Sequence, residues 1–302
     1  MNLRTQLGPV SLASPLVAAS GTVGSLVELA GVVDFSLYGA AVAKSVSGEP
    51  WPGRPAPRFS PVGVGLLNGI GIQNPGIEEW VAEVAPRLGS LGAPAWGSAV
   101  GKTAAEFAVV ASRLQSAGVA AVEVNLSCPN LEDGRMFALD PVRAGEVVCA
   151  VREAVTVPVG AKLTPNSEDV VSIATSCADA GADWVVLGNT VWGAGIDVET
   201  RRPLISGVVW GYSGIPVKPI ALRSVIEVHG ALPELPILGC GGVSTGADVV
   251  EYLLAGASAV AMGTIHFAEP RAARRILAEL RAFMERTGVD DIGDLVGRME
   301  AS

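Results

Sequence analysis

The sequence predicts a (β/α)8 barrel forming a single domain over residues 1–302, and three observations carry that reading. Eight short apolar runs, each closed by a small or polar residue, recur along the whole chain. Segments with apolar residues at helical spacing lie between most of them. The length of 302 residues and the 49% apolar content suit an architecture that takes about 250 residues plus insertions. A doubly wound open sheet is the alternative, but units spread over the whole chain leave no second domain for it.

In chain order, Met1 to Pro15 reads as a hairpin cap, with Val10 and Leu12 alternating around polar residues and Gly8-Pro9 as the turn. The runs that follow are Pro15–Ala19, Ala40–Ala43, Pro94–Gly97, Ala120–Val124, Val159–Ala161, Trp184–Gly188, Pro236–Leu238 and Ala259–Met262. Such continuous apolar runs suit parallel strands buried on both faces. Helices are expected over Ala104–Ala117, Pro141–Ala154, Ser167–Ala180, Pro219–His229, Thr245–Ala255 and Pro270–Arg286. Cap signals open three of them, at Asp140-Pro141, Asn166-Ser167 and Ser244-Thr245. Two connections are long, Ser45–Ala93 after the second run and Thr190–Leu235 after the sixth. Each is expected to hold more than one helix and to build or cover a site.

Composition narrows the function. A net charge of −9 with no basic block argues against nucleic acid or anionic membrane as partner. The cysteines Cys128, Cys149, Cys177 and Cys240 lack C-x-x-C spacing, which argues against a disulfide scaffold, a zinc site or an iron–sulfur cluster in this chain. No signal-peptide pattern opens the sequence and no apolar run reaches about 18 residues, so a cytoplasmic protein is expected.

Barrel enzymes work at the carboxyl ends of their strands. Here those ends carry Ser20, Lys44, Ser98, Asn125, Lys162, Asn189, Gly241 and Gly263. The stretch Glu123-Val124-Asn125-Leu126-Ser127-Cys128-Pro129-Asn130 ends a strand that is apolar but for Glu123. Most free cysteines are buried packing residues. A thiol at a strand end, flanked by amides, reads instead as a reaction centre. A nearby cation would suffice to make it a proton acceptor.

Gly241-Gly242 and Gly263-Thr264 follow the seventh and eighth runs, where this fold commonly binds phosphate. No G-x-G-x-x-G follows the first run, which argues against a Rossmann-type nicotinamide site. Lys44 and Lys162 could neutralise an anion, and Asn68, Asn125, Asn130 and Asn189-Thr190 could pair with a planar, amide-containing substrate. His229 reads as a helix-end residue, and His266 as a local packing or capping group.

An ordered set of motifs spans the chain: Ala19-Ser20-Gly21, Lys44-Ser45 with Glu49-Pro50, Pro55-Ala56-Pro57-Arg58, Leu67-Asn68 to Gly76, Asn125 to Asn130, Lys162 to Asn166, Asn189-Thr190, Ser213-Gly214, Gly241-Gly242 and Gly263-Thr264. With these the sequence resembles the catalytic subunits of the class 1B dihydroorotate dehydrogenases over essentially its full length. The resemblance implies a barrel with one FMN that oxidises dihydroorotate to orotate in pyrimidine synthesis, Cys128 taking the C5 proton. It implies FMN contacts from Ser20, Lys44, Ser45, Asn125, Lys162, Gly214, Gly241, Gly242, Gly263 and Thr264, and places with them Ser98, which stands where the family has an asparagine. Substrate contacts are implied for Lys44, Asn68, Gly69, Ile70, Gly71, Ile72, Asn125, Asn130, Asn189 and Thr190, with Leu131–Leu139 as a lid.

Gly188, Tyr212 and Ile215 are further departures from the family pattern. The resemblance also implies a homodimer core with a separate subunit carrying FAD and a 2Fe–2S cluster and reducing NAD+, in a heterotetramer. Rival readings are a fumarate-linked class 1A enzyme, a dihydropyrimidine dehydrogenase-like enzyme, and a non-enzymatic flavin-binding subunit.

Overall fold

The computed structural model describes residues 1–127 and 136–300. Eight parallel strands close into a barrel: β1 (Leu16–Ala18), β2 (Ala40–Val42), β3 (Ala95–Ala99), β4 (Ala121–Asn125), β5 (Val159–Lys162), β6 (Trp184–Leu187), β7 (Ile237–Cys240) and β8 (Ala259–Met262). They follow one another in sequence order around the ring, and β8 pairs with β1 to close it. All eight expected runs are barrel strands. The (β/α)8 class is therefore confirmed.

Alternation along each strand sorts the side chains into two cores. One set, including Val122, Val124, Val185 and Leu187, meets the surrounding helices. The other fills the barrel: Val17, Ala40, Val42, Trp96, Ala121, Trp184, Val186, Leu238, Ala259 and Ala261. Trp96 and Trp184 are fully buried, with ring centroids 5.0 Å apart and planes inclined at 41°. Gly160 on β5 makes room for them, because a Cβ there would run into the Trp184 indole. The expected hairpin is present as Thr5–Leu7 paired with Val10–Leu12, with Gly8 at φ 55° in the turn. Its Leu7 and Leu12 join the interior core and plug the amino end of the barrel.

The six expected helices form, as Ala104–Ser116, Pro141–Ala154, Val170–Asp179, Lys218–Ala231, Gly246–Leu254 and Ala272–Thr287. Asp140 caps Pro141–Ala154 by accepting from the N–H groups of Val142 and Arg143. Thr245 and Asp248 make a reciprocal capping box. The helix expected from Ser167 starts later, because Asp169 accepts from Ser172 N–H while Asn166 holds the loop after β6 through Thr190 O and Trp192 N–H.

One expectation needs correction, that each long connection holds more than one helix. The β1–β2 connection, where the sequence predicts no helix, contains turns and one 3-10 turn (Phe35–Leu37). Gly21, Gly24 and Leu26 adopt positive φ there, which a helix cannot accommodate. The long connections each contain a single α-helix, Ile77–Glu83 and Lys218–Ala231, and the rest goes into strands. Phe59–Val62 and Gly65–Asn68 come from the first connection, Val191–Gly193 and Trp210–Gly214 from the second. All four form one antiparallel sheet above the barrel mouth.

His266 ties the β1–β2 connection to the chain after β8. It is 4% exposed, with Tyr38 Oη 2.9 Å from Nε2 and Thr22 Oγ1 3.0 Å from Nδ1. Thr22 Oγ1 also donates to Ala19 O at 3.2 Å, so the arrangement that satisfies every group has Nδ1–H donating to Thr22 and the Tyr38 hydroxyl donating to Nε2. Burial outweighs a raising hydrogen bond to the Gly263 backbone and pushes the imidazole down to about 4. The local packing role expected for His266 is thus present. Among the described residues no helix is long and apolar enough to cross a membrane.

Two measurements test this account of the fold. The unfolded chain binds a proton on His266 near pH 6.5, whereas the folded chain does so only near pH 4. Folding stability therefore falls as pH drops through that window. Urea midpoints taken across it are expected to show a steeper fall for wild type than for His266→Gln, a difference of no more than about 3 kcal/mol. Trp96→Ala is expected to cost about 3–5 kcal/mol in the same assay, and an unshifted midpoint would contradict the packed interior.

Candidate active site

Above the two indoles the barrel interior turns polar. Ser98 on β3, Glu123 on β4, Lys162 on β5 and Cys240 on β7 all lie at inward-facing positions and are buried. Register fixes their heights, for Ser98 pairs with Glu123, and Asn125 with Lys162 one inward step higher. Lys162, Asn125 and Cys240 form part of the wall of a cavity of about 400 Å3 at the carboxyl ends of the strands, a size typical of ligand sites.

That cavity collects what the sequence marked. Ser20, Lys44, Ser45, Asn125, Lys162, Gly214, Gly241, Gly242, Gly263 and Thr264 all line it. So do Asn68, Gly69, Ile70, Gly71, Ile72, Asn189 and Thr190. Cys128, Asn130 and the first part of the expected lid, residues 131–135, lie outside the described residues. Of the lid's end, Phe137–Leu139 forms a 3-10 turn.

Ser98 is the exception. It is fully buried and does not reach the cavity wall. Its height in the register, level with Glu123 and below Asn125, keeps it there. Its hydroxyl lies 2.8 Å from Ser45 Oγ, which in turn accepts from Asn125 Nδ2 at 3.0 Å. Ser98 therefore acts on the cavity only by orienting Ser45 and, through it, Asn125. The oxygen of that amide, Asn125 Oδ1, is buried without a hydrogen-bond partner.

The two glycine turns lie side by side because β7 and β8 are neighbours. Gly241 and Gly242 have φ 144° and 66°. A Cβ at Gly241 would stand 2.9 Å from that of Ala221, and one at Gly242 would stand 2.8 Å from that of Lys218. Gly263 differs, since a Cβ there would meet nothing closer than 3.8 Å. Its missing side chain serves the open space of the cavity rather than packing. Gly188, at φ 120°, has no room for a side chain because a Cβ would collide with the Cys240 carbonyl. That collision accounts for this departure from the family pattern.

Across the mouth, the antiparallel sheet supplies the amide-rich wall. Asn68 Nδ2 donates to Gly211 O at 3.3 Å, and Thr190 N–H donates to Asn189 Oδ1 at 2.8 Å. Trp210 and Arg54 also line the cavity, with the guanidinium 4.5 Å over the indole. Neither was singled out from the sequence, nor were Cys240 and Phe267, which line it too. Cys240 carried a signal, since it lies two residues beyond the inward-facing Leu238. Trp210 carried none.

Charge is concentrated at one place. Lys162 Nζ lies 3.6 Å from Glu123 Oε1, with both side chains buried. Burial disfavours the lysine's charge, but the opposing Glu123 carboxylate favours it, and the net effect holds the ammonium above its ordinary range. Burial likewise pushes the Cys240 thiol up, against the pull of Lys162, so it is a protonated, unreactive wall group at neutral pH.

Residues 2–284 match the family model described as dihydroorotate dehydrogenase. The chain is 42% identical over 301 residues to a protein of Pelobacter propionicus named dihydroorotate dehydrogenase B (NAD(+)), catalytic subunit, covering 99% of both chains. Proteins of the same name from Geobacter sulfurreducens and Alkaliphilus metalliredigens are 42% and 39% identical, with 99% of this chain and 98% and 99% of theirs covered. This breadth of match, over a barrel whose mouth gathers the family's motifs, means that the chain belongs to the dihydroorotate dehydrogenase family.

Proposed function

We propose that this chain oxidises dihydroorotate to orotate in pyrimidine synthesis, using one bound FMN and passing the electrons to a separate subunit that reduces NAD+. The observation that carries the reading is the convergence on a single cavity of every described residue expected to touch cofactor or substrate, Ser98 apart. The cavity's own loose ends support a flavin. Asn125 Oδ1 is a buried acceptor awaiting a donor, Gly263 leaves open space at its own part of the cavity, and the paired glycine turns suit a phosphate.

When bound, FMN supplies the acceptor for the hydride that leaves C6 of the substrate. The protein's residues do the rest. Cys128, as thiolate, removes the C5 proton and holds it on sulfur. Lys44 offers a cation to the substrate carboxylate, while Asn68, Asn130 and Asn189 read the donor–acceptor edge of the ring. Lys162 stands beneath as a fixed positive charge.

The electron-transfer subunit is assigned FAD and a 2Fe–2S cluster, in a heterotetramer built on a dimer of this chain. Two things support that division: the relatives' names speak of a catalytic subunit and NAD(+), and this chain's four cysteines lack cluster spacing.

Anaerobic addition of dihydroorotate to the FMN-loaded chain is expected to bleach the 450-nm-region flavin band, whereas NAD+ alone is not expected to restore it without the partner subunit. No bleaching would remove the assignment. Cys128→Ser is expected to slow bleaching by about a hundredfold or more near neutral pH, within the range of general base catalysis, with the flavin spectrum retained. Undiminished bleaching in that variant would exclude the thiol as base.

A further inference from the structure

Glu123 is the residue that the reaction does not use and that the fold does not need. It interrupts an otherwise apolar strand, its side chain is 2% exposed, and its Oε1 has no hydrogen-bond partner. A carboxylate buried among barrel side chains is costly. A buried ion pair seldom recovers that cost, and well-packed apolar residues of similar volume usually serve stability as well or better. Stability is therefore a poor explanation for Glu123.

Its position offers another. Glu123 lies one inward step below Asn125, and Asn125 is level with Lys162. It thus stands beneath the cavity wall, while Lys162 is part of that wall. At 3.6 Å the pair is an ion pair but is longer than a hydrogen bond. An ammonium has three N–H donors, so those that the carboxylate does not take can serve the cavity. Among the described residues, the other ionisable groups around this ammonium are the Cys240 thiol on β7 and, at the same cavity, Lys44 following β2 and Arg54. None of these supplies a negative charge at neutral pH, so among the described residues that charge comes from Glu123.

We propose that Glu123 is a positioning residue, whose carboxylate stations the Lys162 ammonium at the cavity floor and keeps it charged beneath the bound flavin. The inference rests on the reading of the cavity as a flavin site and adds to it the device that sets the local charge. Without Glu123, a lysine this deeply buried loses its counter-ion and discharges more readily. The flavin then faces a cation that comes and goes with pH.

The test is the midpoint potential of the FMN-loaded protein, measured against reference dyes from about pH 6 to about pH 10, the range into which a lysine deprived of its counter-ion falls. Wild type is compared with Glu123→Gln and with the double variant Glu123→Gln/Lys162→Met. The Glu123→Gln curve is expected to depart from wild type by at least tenfold in the oxidised-to-reduced equilibrium, about 30 mV for a two-electron couple. It should also bend where the ammonium loses its proton, and the double variant should lack that bend. A merely structural carboxylate would move none of this, and superimposed wild-type and Glu123→Gln curves would overturn the proposal.

Should Glu123→Gln fail to hold flavin, the double variant decides. Flavin held there as well as by Lys162→Met alone identifies the uncompensated ammonium as the fault and supports the proposal, whereas weaker binding than by Lys162→Met makes Glu123 a packing residue and overturns it. A wild-type chain that takes up no FMN would instead sink the reading of the cavity itself, and this proposal with it.

Discussion

The contact between Trp96 and Trp184 sets the depth at which this barrel can do chemistry. Two indoles stacked 5.0 Å apart, with Leu7 and Leu12 beneath them, fill the amino half with apolar matter. Polar side chains can then gather only toward the carboxyl ends. Ser98, Glu123, Lys162 and Cys240 form the buried transition between this plug and the cavity. Because strand register fixes the height of each inward side chain, that transition is sharp: Asn125 and Lys162 reach the cavity, whereas Ser98 and Glu123 stop short of it. The site is thus a consequence of what fills the space below it.

Above the plug, the ring order of the strands divides the labour. The glycine turns after β7 and β8 are neighbours, next to Ser20 after β1, and β4 and β5 lie on the other side of the ring. An anion held at the first pair would leave the lysine and the amides elsewhere on the cavity wall to meet the rest of its ligand. The four-stranded sheet then supplies the upper wall. Its strands come from two connections separated by most of the barrel, joined by pairs such as Gly211 with Asn68. The excursions therefore roof the site together, and neither forms that sheet alone.

What was legible in the sequence follows from these constraints. The barrel strands announce themselves because burial on both faces leaves continuous apolar runs, and their ends can be read because polar residues return there. The glycine turns were legible for the same reason. The roof was not: residues such as Gly211 and Tyr212 become strand only by pairing with Asn68 and Leu67, far away in sequence, and no local period marks that. The Pro- and Gly-rich stretches suggested loops between helices, where the chain instead builds hairpins. Ser98 was grouped with the cofactor contacts because the resemblance sets it where the family has an asparagine. Only the register with Glu123 shows that it sits a layer too low. Glu123 itself was visible as an interruption of an apolar strand, but its partner could be known only from the fold.

The central claim is that the paired glycine turns hold the phosphate of a flavin whose ring lies over Lys162. Its most direct measurement compares the affinity of the flavin-free chain for FMN and for riboflavin, which lacks the phosphate. Charge-assisted hydrogen bonds contribute about 1.5–3 kcal/mol each, so two or more predict at least a hundredfold preference for FMN, or about 2.8 kcal/mol. Equal affinity for the two would contradict the account.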